Sequence, residues 1–231
     1  MRLVITFLTC ILLPSLAQAQ ACPPASHQPI VNLLVTQEPI SYDNSLNIIQ
    51  LRELMSRDSS VWATGHGHIP LGLAQVRTTF KSSLEASVTG QRNGTYCASL
   101  RSVTVEFRFT DSTIFVATDL PRDSCIYREV LAHEHKHVAV DAQLLNEWNS
   151  RLRTEVTHAV STVGTVSARS SDEAVKLLSA RLEPNIRRTM DALMAERAHR
   201  QAQVDTPEEY HRVSRSCNGE VRKYVPEGML R

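Results

Sequence analysis

Leu131-Ala132-His133-Glu134-His135-Lys136-His137-Val138 is the stretch around which the chain is organised, because His133, Glu134 and His137 spell the pattern H-E-x-x-H. Apolar residues recur on both sides at steps of three and four, from Ile126 to Val156. This period is typical of an amphipathic helix with one buried face. Both motif histidines continue that face, so we expect the pattern to lie on a helix.

The predicted helix runs from about Cys125 to about Val160, and Asp123 or Ser124 is suited to cap its start. Residues four apart on a helix lie on the same side and about 6 Å apart along the axis. His133 and His137 can therefore direct ring nitrogens at a single ion. Neutral imidazole nitrogens are among the ligands that zinc prefers.

Glu134 lies one step round the helix, beside the position that a fourth ligand would take. Zinc lowers the pKa of a bound water to about 7, and a carboxylate at this place can take the proton and pass it to a leaving amine. The motif thus predicts hydrolysis of amide bonds, with zinc as the cofactor and Glu134 as the catalytic residue.

Two other interpretations of the motif are open. In a strand, His133, His135 and His137 would share one face and form a three-histidine site in which Glu134 has no role. On an exposed helix, the same histidines would bind metal only adventitiously. The uninterrupted helical period argues against the strand, and the apolar surroundings of both motif histidines argue against the exposed surface.

A catalytic zinc site normally has three protein ligands and one open position. Asp141 lies about 12 Å further along the helix than His133, which is too far for the same ion, so we assign it to the outer nitrogen of His137 as an acceptor. The third ligand is expected from the C-terminal segment, where the candidates are His199, Asp205, Glu208, Glu209 and His211. We choose His211, which follows a good helix start and lies near Cys217.

Tyr210 and one loop are further candidates for roles at the site. Tyr210 is a candidate to stabilise an oxyanion at the site. Gly65-His66-Gly67-His68 is the other histidine cluster and an alternative metal-binding loop, although glycine-flanked histidines are more often simply solvated.

The first half of the chain has the character of strands. A run of branched residues from Ile30 to Val35 predicts one strand. Three more strands are predicted at Leu73–Phe80, Leu100–Phe109 and Thr113–Thr118. Asn93-Gly94 and Asp111-Ser112 supply turns between these three, which favours an antiparallel meander.

The second half of the chain is helical in pattern. After the motif helix, apolar residues from Val175 to Leu193 recur at helical spacing and predict a second long helix. Strands followed by helices are typical of an α+β fold. We therefore expect a small antiparallel β-sheet in the N-terminal half, packed on long α-helices of the C-terminal half, in a single domain over residues 20–231.

Residues 1–19 have the form of a secretory signal peptide. Arg2 precedes an apolar run, and Ala17-Gln18-Ala19 provides a cleavage site. The apolar run is too short for a membrane span, and no later stretch is long and apolar enough, so no stable membrane span is expected. The predicted location is therefore secreted or periplasmic.

The charge balance argues against nucleic acid as a partner. The chain has 25 Lys and Arg residues against 24 Asp and Glu residues. Removing residues 1–19 takes away Arg2 and no acidic residue, which leaves 24 of each sign. A near-neutral chain has no strong electrostatic attraction to phosphates. The expected partner is a peptide, a protein or a cell-wall peptide that serves as substrate.

Cys22, Cys97, Cys125 and Cys217 remain once the signal peptide has removed Cys10. Their wide spacing, without a C-x-x-C pair, predicts two structural disulfides of an exported protein. We favour Cys97–Cys125 with Cys22–Cys217, although the sequence leaves all three pairings open. Because Cys22 directly follows Ala21, lipidation of Cys22 is an alternative.

Glu129-Val130-Leu131-Ala132-His133-Glu134-His135-Lys136-His137, preceded by a signal peptide and by an alternating strand, resembles the uncharacterised bacterial secreted zinc-dependent proteases of the zincin type. The similarity extends from about Val103 to His137 and, loosely, over residues 205–211. It implies the roles of ligand, base and ligand for His133, Glu134 and His137. The chain departs from such families where Arg212, rather than glycine, follows His211.

The sequence as a whole predicts an exported zinc-dependent metallopeptidase that hydrolyses amide bonds with a zinc-bound water activated by Glu134. Its metal ligands are expected to be His133, His137 and His211. The alternative is a non-enzymatic periplasmic metal-binding or cell-envelope interaction protein that keeps the helix without an organised active site. A third ligand near the two motif histidines and an open cleft beside them would favour the enzyme.

Overall fold

The computed structural model describes residues 22–57 and 69–225. In these ranges the strands are β1 (Ile30–Gln37), β2 (Ser41–Asp43), β3 (Gly72–Gly90), β4 (Tyr96–Val116) and β5 (Thr165–Ala168). The helices are α1 (Ile48–Arg57), α2 (Cys125–Thr162), α3 (Ser171–Val204) and α4 (Pro207–Gly219), and a short 3-10 helix follows at Glu220–Lys223. The predicted signal peptide and the cluster of His66 and His68 lie outside the described residues.

β4 is the central strand of a five-stranded sheet. It pairs in parallel with β1 and β2, and antiparallel with β3 and β5. The predicted α+β class is therefore confirmed, but the predicted antiparallel sheet is wrong. The sheet is mixed because β1 and β2 lie end to end along one side of β4 and run in its direction, opposite Ser102–Phe109 and Thr113–Phe115.

β3 and β4 form one long hairpin instead of part of a meander. The predicted turn at Asn93-Gly94 is confirmed, and Gly94 has the positive φ of 82° that favours glycine there. The predicted turn at Asp111-Ser112 is wrong. Asp111 does adopt a left-handed φ of 51°, but it lies within β4, and the register on β3 shifts between Gln75 and Arg77 to accommodate it.

α2 confirms the predicted motif helix. Ser124 caps its start, since the Ser124 side chain accepts a hydrogen bond of 3.1 Å from the Tyr127 N–H. α2 and α3 cover the face of the sheet on which β4 presents its apolar residues. Those residues are Val103, Val105, Phe107 and Phe109, and none is more than 2% exposed.

α3 confirms the second predicted helix and packs beside α2. Its buried stripe is apolar from Leu178 to Leu193 and then becomes polar, with Arg197 and Gln201 only 4% and 2% exposed. Buried polar side chains need partners. These two lie against the turn of α2 that carries the motif, where the site is built.

The two predicted disulfides are confirmed, but the favoured pairing is wrong, because the bridges are Cys22–Cys97 and Cys125–Cys217. Cys97 lies in the part of β4 that pairs with β5, and the Cys22 sulfur is 3.2 Å from the Val166 carbonyl oxygen of β5. Cys125 begins α2, and Cys217 follows the regular turns of α4, at a kink where its backbone is left-handed with a φ of 55°. α4 packs on α2. Lipidation of Cys22 conflicts with its bridge, since both need the same sulfur.

Candidate metal centre

His133, Glu134 and His137 lie on the buried side of α2. The side chains of His133 and His137 are 10% and 13% exposed, and Glu134 is 5% exposed. The interpretation as a strand is wrong, because α2 is continuous through the motif. His135 points elsewhere, with its Nε2 atom 3.4 Å from the Tyr42 hydroxyl oxygen.

Asp205 brings a carboxylate to both motif histidines. Its Oδ1 atom lies 3.1 Å from the Nε2 atom of His133 and 3.2 Å from the Nε2 atom of His137. Asp205 is the residue at which α3 ends, directly before Thr206 caps α4 by accepting a hydrogen bond from the Glu209 N–H. The corner between the two helices therefore holds the carboxylate against the motif.

His133, His137 and Asp205 fit a zinc ion. Each offers one ligand atom, and these three atoms lie within 4.8 Å of one another. In a tetrahedral site with bonds of about 2.0 to 2.1 Å, neighbouring ligand atoms are roughly 3.3 Å apart. The two distances from Asp205 Oδ1 to the histidine nitrogens are close to that spacing. Two imidazoles and one carboxylate would supply three ligands, and a tetrahedral ion would keep a fourth position open.

A polar chain behind His137 fixes the orientation of its ring. The Nδ1 atom lies 2.6 Å from Gln201 Oε1, while the Gln201 amide nitrogen donates to the His137 carbonyl oxygen and to Asp141. Because both of those partners can only accept, the Gln201 oxygen must face His137, so Nδ1 carries the proton. The Nε2 lone pair is thereby directed at the ligand position.

The sequence predicts a direct contact between Asp141 and His137, but Gln201 lies between them. It forms a buried, bidentate ion pair with Arg197, at 2.7 and 2.8 Å, and accepts a hydrogen bond from Gln201. The predicted direct contact with His137 is thus replaced by one through Gln201. The helix brings Asp141 to the correct side, but it is a full turn beyond the His137 ring.

Glu209 contacts the ring nitrogen of His133 that does not face Asp205. Its Nδ1 atom lies 3.3 Å from Glu209 Oε1. Lys136 and Arg212 both donate to the Glu209 carboxylate, at 2.6 Å and at 2.9 to 3.0 Å. Hydrogen bonds from Arg212 lower the pKa of Glu209 to about 2, despite partial burial, so this carboxylate remains an acceptor for His133.

Glu134 is not part of the ligand group and faces the first residues of β3. Burial raises the pKa of Glu134 to about 7, although the two motif histidines and the Ala74 N–H favour its ionised form. A carboxyl group with this pKa can accept and release a proton near neutral pH. Its environment suits a general base better than a permanent ligand.

Gly72 lets β3 approach Glu134 closely. A Cβ atom at this position would lie 2.6 Å from Glu134 Oε1 and 2.7 Å from Val130 Cγ1. We expect Gly72→Ala to lower the free energy of unfolding by about 1 to 3 kcal/mol, because one of these side chains must move. At Gly90, at the other end of β3, the nearest atom to an added Cβ is 3.8 Å away.

Gly90→Ala is therefore the matched control, with an expected change within about 0.5 kcal/mol. Urea denaturation of both variants measures the difference. Equal stability of the two variants would contradict the close approach of β3 to Glu134.

The two motif histidines and Asp205 shift one another's proton affinity. Burial opposes a charge on His137, but the hydrogen bond to Asp205 and its negative charge outweigh burial and raise the pKa of His137 to about 9. The same kind of contact raises the pKa of His133 against burial. The pKa of Asp205 is held well below its usual range, although burial acts in the opposite direction.

We expect the chelator-treated protein to lose thermal stability between about pH 6 and about pH 9. A histidine with a raised folded pKa contributes stability that is complete below its unfolded pKa and is lost as pH rises through the folded value, about 9 for His137. Glu134 adds a loss between 4.5 and about 7. Zinc bound to His133 and His137 would displace the protons of these two ligands, so the zinc-loaded protein should not show the loss that the histidines cause. Melting temperatures with and without zinc test this, and equal losses would contradict it.

A cavity of about 110 Å³ lies in front of Glu134. One wall is formed by α2 and the first residues of β3, and the other by residues around Asp205. Tyr210 also lines the cavity, with its ring centroid 6.1 Å from that of His133. His133, Glu134 and His137 of the motif thus all border this cavity.

The structure does not bring His211 to the motif. Tyr210 and Val213 form the side of α4 that lines the cavity, whereas His211 is exposed on another side. Asp205, one of the other C-terminal candidates, takes the place near His133 and His137 instead. Sequence reasoning missed Gln201 altogether, because a glutamine in a helical stripe carries no signal of its contact with a residue on another helix.

A second group of ligand-type atoms belongs to Cys125, Cys217 and Glu220. Its sulfurs form a disulfide, and Glu220 accepts a hydrogen bond of 3.1 Å from the Ile126 N–H. This group therefore fastens the start of α2 and is not a metal site in the oxidised protein.

Similarity to other proteins does not assign the site. Comparisons with protein-family models, with curated proteins and with solved structures found no match. The functional proposal therefore depends on the chemistry and geometry of His133, Glu134, His137 and Asp205.

Proposed function

We propose that the protein is an exported zinc-dependent metallopeptidase of the zincin type. The observation that carries this proposal is the convergence of His133, His137 and Asp205 beside the buried carboxyl group of Glu134, at one cavity. A site that only stores metal has no need for an ionisable group held apart from the ligands. Asp205 replaces His211 as the third ligand in this proposal.

His133, His137 and Asp205 would hold the zinc, and Gln201 and Glu209 would orient the two imidazoles from behind. When bound, zinc supplies Lewis acidity, which lowers the pKa of a water molecule and polarises an amide carbonyl. All three ligand residues line the cavity, so a substrate could reach the ion from there. Tyr210, at the cavity wall, is the proposed donor to the oxyanion of the tetrahedral intermediate.

Glu134 would carry the proton in the reaction. Its carboxylate accepts a proton from the attacking water as oxygen bonds to the amide carbon. The carboxylic acid then donates this proton to the amide nitrogen as the C–N bond breaks. Burial of Glu134 raises the pKa of its carboxyl group, which favours uptake of the proton from water.

Export is part of the proposal. Disulfides are typical of proteins outside the reducing cytosol, and the described part of this chain contains two. Among the described residues, no helix combines the length and apolar character needed to cross a membrane. The proposed location is therefore secreted or periplasmic, where proteins and cell-wall peptides are both available as substrates.

The proposal is tested by metal content and turnover in the same sample. We expect purified mature protein to hold one zinc per chain by mass spectrometry, and to cleave an unfolded protein or a cell-wall peptide. Activity should disappear with a chelator and return with zinc. One bound zinc without cleavage of either substrate class would favour the non-enzymatic metal-binding alternative, and no zinc after reconstitution would exclude both.

A further inference from the structure

The cavity in front of Glu134 has two chemically different ends. Asp141 and Arg197, which are paired with each other, lie where α2 meets α3. The apolar end of the cavity is formed by side chains of one hydrophobic cluster, from α1, from the segment before β3, from α2 and from α4. These side chains are Met55, Ile69, Leu71, Val130 and Val213.

The apolar end is continuous with the reacting group. Val130 precedes Glu134 by one turn on the same side of α2, and the Gly72 backbone lies against both side chains. An amide bond held beside Glu134 therefore places a neighbouring side chain against Val130. Met55, Ile69 and Leu71 are only partly buried, so their apolar surface is available to a ligand.

Charge and size restrict what can occupy this end. Among the described residues that line the cavity, the ionisable ones are the metal-site residues His133, Glu134, His137 and Asp205, the Asp141–Arg197 pair, and Tyr210. None of them belongs to the apolar end, so a charged side chain there would lose its hydration without gaining a partner. An apolar cavity of roughly 150 Å³ takes a benzene ring. The volume of about 110 Å³ belongs to the whole cavity, so the apolar end has room for one aliphatic side chain at most.

We propose that this apolar end is a specificity subsite for an aliphatic side chain, such as leucine or methionine, on a residue that flanks the scissile bond. This inference depends on the proposed peptidase function. Removing a leucine-sized side chain from water corresponds to a preference on the order of 10- to 100-fold over glycine. Glutamate at the same position should be no better than glycine.

Small zinc-chelating ligands test the subsite without turnover. N-acetyl hydroxamates of leucine, glycine and glutamate share one metal-binding group and differ only in the side chain. Calorimetric titration of the zinc-loaded protein should give at least about tenfold tighter binding for leucine than for glycine. Equal affinities, or tighter binding of the glutamate compound, would overturn the inference.

Two substitutions on α4 test whether the preference for leucine arises at the apolar end of the cavity. Val213→Phe places a ring in the subsite and should remove the preference for leucine while retaining the affinity for glycine hydroxamate. Arg215→Phe adds the same ring at an exposed position of α4 and should leave the preference unchanged. If Val213→Phe does not fold, Val213→Ala enlarges the subsite and should shift the preference from leucine towards phenylalanine. An unchanged preference in the Val213 variants would overturn the assignment.

Cleavage of a peptide library separates this inference from the proposed function. Cleavage with aliphatic residues enriched at one flanking position supports both. Cleavage without a preference at either flanking position would contradict the subsite inference but would still support the proposed peptidase function. A hydroxamate preference without cleavage of any peptide would overturn the peptidase and leave an aliphatic ligand site beside the metal.

Discussion

Glu134→Gln is expected to lower kcat by about 10³-fold while zinc remains bound. Glutamine has the size of glutamate, and its side-chain oxygen can still accept the hydrogen bond from the Ala74 N–H. It cannot take a proton from water near neutral pH, so the transfer to the leaving amine is lost. Because Glu134 is not in the ligand group, the metal content should not change.

The matched control is Glu155→Gln, which makes the same chemical change at an exposed position of α2. It should retain the kcat of the unmodified protein. Measurements of zinc content and kcat on both variants give the comparison. If the Glu134→Gln protein keeps a tenth or more of the activity, Glu134 is not the general base.

Asp205→Ala is expected to weaken zinc binding by about 100-fold or more. Loss of a residue that supports a ligand from behind typically costs 10- to 100-fold in metal affinity, and loss of a ligand should cost at least the upper value. The change also leaves His133 and His137 without the carboxylate between them. Competition with a chelating dye measures the affinity.

The zinc affinities of two further variants show whether the large loss is specific to Asp205. Gln201→Leu removes only the support behind His137, so we expect a loss of about 10- to 100-fold. His211→Ala should bind zinc as tightly as the unmodified protein, because His211 is exposed on α4. A large loss in the His211 variant, with normal affinity in the Asp205 variant, would restore His211 as the third ligand.

The part of the site on α2 could be predicted because all of its signals are local. The cap at Ser124, the apolar period and the motif lie in one stretch of chain, and helical geometry alone brings His133 to His137. Asp205 lies 72 residues after His133. Its position depends on how α3 and α4 meet, which no period in the sequence describes.

The errors in the sheet have a similar origin. Alternation of apolar and polar residues indicates which face of a strand is buried, but it does not indicate the direction of the neighbouring strand. Asp111-Ser112 is a pair typical of turns, and aspartate also tolerates the left-handed backbone that the bulge within β4 requires. Gly72 did carry a usable signal, since glycine at a strand often marks a close approach.

The disulfide connectivity has a consequence for how an exported chain matures. The bridges Cys22–Cys97 and Cys125–Cys217 close two loops that follow one another without overlap. If the chain emerges from the membrane N-terminus first, each cysteine finds its native partner as the next one to appear. An oxidase that joins thiols in order of arrival therefore produces the native pairs, and exchange between wrong disulfides is not required.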